Sequence, residues 1–268
     1  MALELGLHEL FTACQYEPSI LPPVDVLERF EALYKRYPAL TRRQWGEDTS
    51  GRPLYSYHVE HGEETIFMYA FPDPGEAVGG TGLLALLRLL LDPDSYMASL
   101  PYRWVFVPCL NFVDQPDKGR SLRKLMKTAS QEVDWCVSAP RPETTAVLDI
   151  ADTYKPIFTF PLHDEYHHRR YVAPYIGLAK PIDEDIAMRV RTLFTDHGVE
   201  LDREYCSEPM GEGFFLMPEI GEEYLNSTFH HCAHYGQVLV VEIPSQSELP
   251  DVILTYLQLV TGLIICMS

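Results

Sequence analysis

Three groups of residues have types and spacings that could do chemistry. Asp73 and Glu76 flank Pro74 and Gly75. His163 heads a run containing Asp164, Glu165, His167 and His168. Glu242 is the only charge in the apolar string VLVVEIP. Each group falls at the C-terminal end of a segment patterned like a buried strand, which is where ligand sites form in open α/β sheets. Structural readings stand beside this one. Asp-Pro-Gly is a good reverse turn, Asp73 could cap the helix that follows, and HDEYHH reads equally as a solvated loop. Glu242 is harder to account for as structure, because a carboxylate inside an apolar strand needs a partner, a metal or solvent. Taken together, the groups supply a set of metal ligands and a separate carboxylate, the combination that metal-assisted hydrolysis requires.

The elements that must position these groups follow from periodicity and punctuation. An amphipathic helix covering Arg29 to Tyr37 opens near Pro23 and carries Leu27, Phe30, Leu33 and Tyr34 on one face. Turn residues from Asp48 to Gly51 lead into a strand over Leu54 to Glu60. Thr65 to Phe71 is apolar on both faces, as a central strand should be, and runs directly into PDPGEAVGG and a leucine-rich helix over Thr81 to Leu91. Further strands are predicted over Tyr102 to Leu110, Ile157 to Leu162 and Gln237 to Ile243. Helices are predicted over Glu143 to Tyr154, Asp183 to His197 and Pro250 to Ile264. Strands alternating with helices imply an α/β fold with a mixed, largely parallel central sheet flanked by helices.

Composition bounds the rest. At 268 residues and 46% hydrophobic, the chain can bury one sizeable core, and no Gly/Ser run, low-complexity tract or repeat divides it. A single domain over residues 1–268 is expected. Six cysteines are scattered with no CxxC pair, and MALELGLHELFTACQ lacks the basic and apolar regions of a secretory signal. The expectation is a cytoplasmic protein with reduced thiols. The apolar stretches are too short or interrupted to span a membrane. A formal net charge of -18 excludes nucleic acid as a natural partner, since its phosphates would be repelled.

Five segments, in order, resemble the zinc carboxypeptidase family. They are Gly51-Arg52-Pro53-Leu54-Tyr55, then FPDPGEAVGG against the family's HPGE, then Pro108-Cys109-Leu110-Asn111 against its P-x-x-N. Pro142-Glu143-Thr144 with the helix and strand leading to His163 follows, and VVEIP is last. The resemblance implies one zinc ion, or another divalent metal, on Asp73, Glu76 and His163, with Glu242 as general base. It implies that Arg120 stabilises the developing oxyanion, with Arg123 as its competitor and a substrate-binding residue. The family's mobile tyrosine has candidates in Tyr224 and Tyr235, of which Tyr224 is assigned to substrate binding.

Two departures from the family pattern shape the expected function. Asp73 stands where the family has histidine, so two carboxylates and one imidazole leave a divalent ion formally neutral and a weaker Lewis acid. His167 or His168 could also join the metal. The Asn-Arg pair that grips a terminal carboxylate has no counterpart in Val133-Asp134-Trp135-Cys136-Val137, leaving Arg141, Arg169 or Arg170 as substitutes. The resemblance therefore implies a metal-dependent hydrolase of a small or modified peptide. Its rivals are a catalytically inactive protein that binds a peptide or partner in the same cleft, and a related amino-acid deacylase.

Overall fold

The computed structural model describes residues 19–112, 130–164, 174–196, 201, 213–217, 224, 226–243 and 252–267. Helix α1 (Pro23–Arg36) opens on prolines, whose missing N–H costs nothing at a helix start, and ends with Lys35 and Arg36 against the carbonyl pole. Strands β1 (Leu40–Glu47), β2 (Pro53–Glu60) and β3 (Glu64–Ala70) follow, then helix α2 (Val78–Leu90), the short α3 (Tyr96–Ser99) and β4 (Tyr102–Val107). A 3-10 turn (Gln131–Asp134) precedes α4 (Pro142–Tyr154) and β5 (Phe158–Leu162). The remainder comprises β6 (Tyr175–Leu178), α5 (Glu184–Asp196), β7 (Phe214–Leu216), α6 (Thr228–Tyr235), β8 (Gln237–Glu242) and α7 (Val252–Met267).

The strands form one sheet in the order β1-β2-β4-β3-β5-β8-β6-β7. Its centre is parallel, with β4, β3, β5 and β8 side by side. The β1–β2, β2–β4 and β6–β8 pairs are antiparallel. The sheet is mixed and largely parallel at its core, as the alternation of elements implies.

Alternation along each strand separates two apolar layers. Ile66 and Met68 of β3 face a layer built with α1, α2, α5 and α7, whereas Phe67 and Tyr69 face a smaller one built with α4 and α6. Helix α2 is buried on every face except at Arg88, so its sequence is leucine-rich without an evident polar stripe. The thiols of Cys109, Cys136, Cys232 and Cys266 are free, and burial pushes those of Cys109 and Cys232 up to about 12. Among the described residues no helix is long and apolar enough to cross a membrane.

Candidate metal centre

The first two site residues are set by a bend at the end of β3. Phe71 is buried with φ at +53°, a left-handed conformation that a bulky side chain adopts only when its surroundings enforce it. The enforcement comes from the segment after β4. Leu110 N–H donates to Ala70 O (2.9 Å), Asn111 N–H donates to Phe71 O (3.0 Å), and the Asn111 amide donates to Pro72 O. Asp73-Pro74-Gly75-Glu76 then forms a reverse turn in which Glu76 N–H reaches Asp73 O at 3.4 Å and Gly75 takes φ of +94°. Asp73 does not cap α2. The N-cap is Ala77, and no side chain closes that helix end.

The third residue arrives from β5. His163 N–H donates to Val241 O on β8 (3.2 Å), which continues the parallel pairing past Leu162. Helix α2 starts close against this strand. A Cβ on Gly79 would lie 2.7 Å from Leu162 Cβ and 2.9 Å from Leu162 O, and one on Gly80 would strike the Phe71 ring. At either glycine an added Cβ would force α2 or its neighbours to shift, at the helix start that follows Glu76.

In the result, His163 Nδ1 lies 3.0 Å from Glu76 Oε2 and 3.6 Å from Asp73 Oδ2. One donor atom from each residue lies within 4.8 Å of the others, and the residues are only 7–8% exposed. Among the described residues this is the one cluster of three or more such donors. Two carboxylates and an imidazole, nearly dry and converging on one point, call for positive charge between them. One nitrogen and two oxygens suit zinc or a harder divalent cation, so the donor set fits a metal.

Gln131 carries no signal in the sequence, yet it touches two members of this cluster. Its backbone N–H donates to Asp73 Oδ1 (3.1 Å), and its side-chain Nε2 lies 3.0 Å from His163 Nε2. Its Oε1 accepts from Thr228 Oγ1 (3.0 Å) and from Tyr69 OH (3.3 Å), itself 3.3 Å from Thr228 Oγ1. All are buried, and burial holds the Tyr69 phenol well above its ordinary value. Next to it, Glu132 is raised above the usual carboxylate range. Desolvation of its carboxylate is the main cause although the residue keeps an exposed surface, and the Asp73 charge adds to the shift.

Glu242 ends β8, half-buried, directly after the residue whose carbonyl accepts from His163, and it pairs across the sheet with Tyr175. Arg141 is taken up structurally. Its Nε donates to Asp134 Oδ2 (2.9 Å), one terminal nitrogen to Ser130 O (2.9 Å) and the other to Asn111 Oδ1 (3.3 Å). Tyr224 lies edge-to-face with Trp135, ring centroids 6.3 Å apart. Tyr235 donates to Asp152 at 2.7 Å, away from the cluster, and that bond lowers Asp152 and raises the phenol. Arg120, Arg123, His167, His168, Arg169 and Arg170 lie outside the described residues.

No protein-family model matches the chain, and no curated protein matches it in sequence. Solved structures do match. A metallo-carboxypeptidase from Burkholderia cenocepacia superposes with a TM-score of 0.60 at 15% identity, over 89% of this chain and 67% of that one. The metallo-carboxypeptidase from Pseudomonas aeruginosa, solved with (2-guanidinoethylmercapto)succinic acid, gives 0.55 at 17% identity, over 88% and 69%. Bovine thrombin-activatable fibrinolysis inhibitor, in complex with tick carboxypeptidase inhibitor, gives 0.58 at 12% identity, over 92% and 97%. The chain has the metallo-carboxypeptidase fold.

Proposed function

We propose that the protein is a metal-dependent hydrolase of a peptide or amide bond, with Asp73, Glu76 and His163 holding a zinc-like ion and Glu242 serving as general base. The observation that carries the reading is the convergence of those three donors at the ends of β3 and β5, beside the end of β8 that carries Glu242. When bound, the ion would polarise the scissile carbonyl and acidify a water. Glu242, half-buried and therefore open to solvent on one side, takes the proton of the attacking water and passes it to the leaving amine.

The substrate suggested by the surroundings is a small or modified peptide. The 135–137 stretch offers no guanidinium, and three of the five Arg141 guanidinium N–H groups are engaged by Asp134, Ser130 and Asn111. The 135–137 stretch therefore supplies no bidentate grip on a free terminal carboxylate.

Metal analysis of purified protein, combined with two variants, tests the reading. Wild type should hold about one zinc per chain after loading, and Asp73→Ala should lower that affinity sharply. Glu242→Gln should still bind zinc while hydrolysis falls by about 10²–10⁴-fold. Retained hydrolysis in Glu242→Gln, or unchanged metal content in Asp73→Ala, would overturn the assignment.

A further inference from the structure

We infer that Gln131 is a positioning residue for the metal centre, an amide that selects the His163 tautomer able to ligate. The inference rests on the site proposed above and concerns how the chain prepares it.

His163 Nδ1 faces Glu76 and Asp73, and Nε2 faces Gln131. An ion held among the three residues would therefore meet Nδ1, and a neutral imidazole bound there would carry its proton on Nε2. That N–H is buried and needs an acceptor.

The Gln131 amide can serve either tautomer of the ring. With Nε2 turned to the ring, its N–H can donate only to a bare His163 Nε2, while Oε1 accepts from Thr228 and Tyr69. Turning the Gln131 amide over exchanges every role without moving the backbone. Oε1 then accepts from His163 Nε2–H, and the amide N–H₂ donates to the Thr228 and Tyr69 oxygens, both able to accept as well as donate.

The same residue holds a second ligand through its backbone. Gln131 N–H on Asp73 Oδ1 leaves Oδ2, the oxygen nearer His163, for the ion. Side-chain substitution at 131 leaves this bond in place, so it isolates the effect on the imidazole.

The experiment measures zinc affinity of the full chain by competition with a chromophoric chelator. NMR correlating ring protons with ring nitrogens is recorded with and without zinc, the His163 signals being assigned from their loss in His163→Gln. Gln131→Met, similar in length but unable to hydrogen-bond, should weaken zinc binding about 10- to 100-fold. Gln131→Glu, which keeps an acceptor and has no donor, should retain wild-type affinity. Zinc-loaded wild type should show His163 metallated at Nδ1 and protonated at Nε2.

Equal affinity in wild type and Gln131→Met overturns the role of Gln131 and leaves the metal site standing. Absence of zinc binding in wild type overturns the site and this inference with it. If Gln131→Met does not fold, the wild-type spectrum decides, because His163 metallated through Nε2 would overturn the inference without any variant.

Discussion

Phe71 is where a strand becomes a site. Its left-handed backbone costs about 1–2 kcal/mol, offset by burial of its ring and by the Leu110 and Asn111 bonds to Ala70, Phe71 and Pro72. The Asp-Pro-Gly-Glu spacing was legible in sequence because a turn puts its first and fourth residues together by local geometry. Gln131 was not legible, because its partners, His163 and Thr228, become neighbours only through the tertiary fold. A second buried imidazole gives a prediction of a different kind. His58 is 3% exposed, its Nε2 is 2.7 Å from Ser56 Oγ, and burial lowers its pKa to about 4. Between that value and the ordinary 6.5, the unfolded chain binds a proton that the folded chain refuses, so stability rises with pH across this window and falls on acidification. Replacement by glutamine, which cannot titrate, should remove roughly 1–2 kcal/mol of the loss between about pH 7 and about pH 5. Urea midpoints of wild type and His58→Gln at both pH values check this, and parallel pH dependences would refute it.

At the scale of elements, the long segments with clear periodicity were readable to within a few residues, and the short ones were not. Helix α1, the central strands and helices α2, α4 and α5 match their sequence signals because one face or both had to be apolar. Strand β1 (LTRRQWGE) lies at the sheet edge with mostly exposed or half-exposed residues, so nothing in its pattern announced a strand. Strands β6 and β7 are only four and three residues long, and α6 (TFHHCAHY) is rich in histidine with few apolar contacts to mark its face. The strand expected over Tyr102 to Leu110 stops at Val107, because Pro108 has no N–H for the ladder and the chain turns instead to brace Phe71. The approach of α2 to β5 supplies the prediction at this scale. Gly79→Ala drives a methyl into Leu162 and should cost about 1–3 kcal/mol, enough to lower Tm by several degrees. Because α2 must retreat with Glu76 at its head, zinc affinity should fall as well. Calorimetry with a zinc titration measures both, and a variant with wild-type Tm would show that the helix can yield.

For the whole molecule, a net charge of -18 is the dominant long-range term. Self-repulsion of this size opposes the compact state, and salt shortens its reach from roughly 30 Å at 0.01 M to about 8 Å at 0.15 M ionic strength. Metal-free protein should therefore melt at a higher temperature as sodium chloride is added over that range. A thermal scan that showed the opposite would place local ion pairs such as Arg141–Asp134 above the overall field. Asp73 and Glu76 follow β3, His163 follows β5 and Glu242 ends β8, three neighbouring strands separated by long stretches of chain. Parallel neighbours cannot pair until the intervening loop has closed, which makes such contacts slow and late in folding. A chain still being synthesised thus carries the turn, then the imidazole, but no anchored and complete centre until β8 has emerged. On the proposed assignment, neither the nascent chain nor a truncated fragment lacking β8 would hydrolyse substrate.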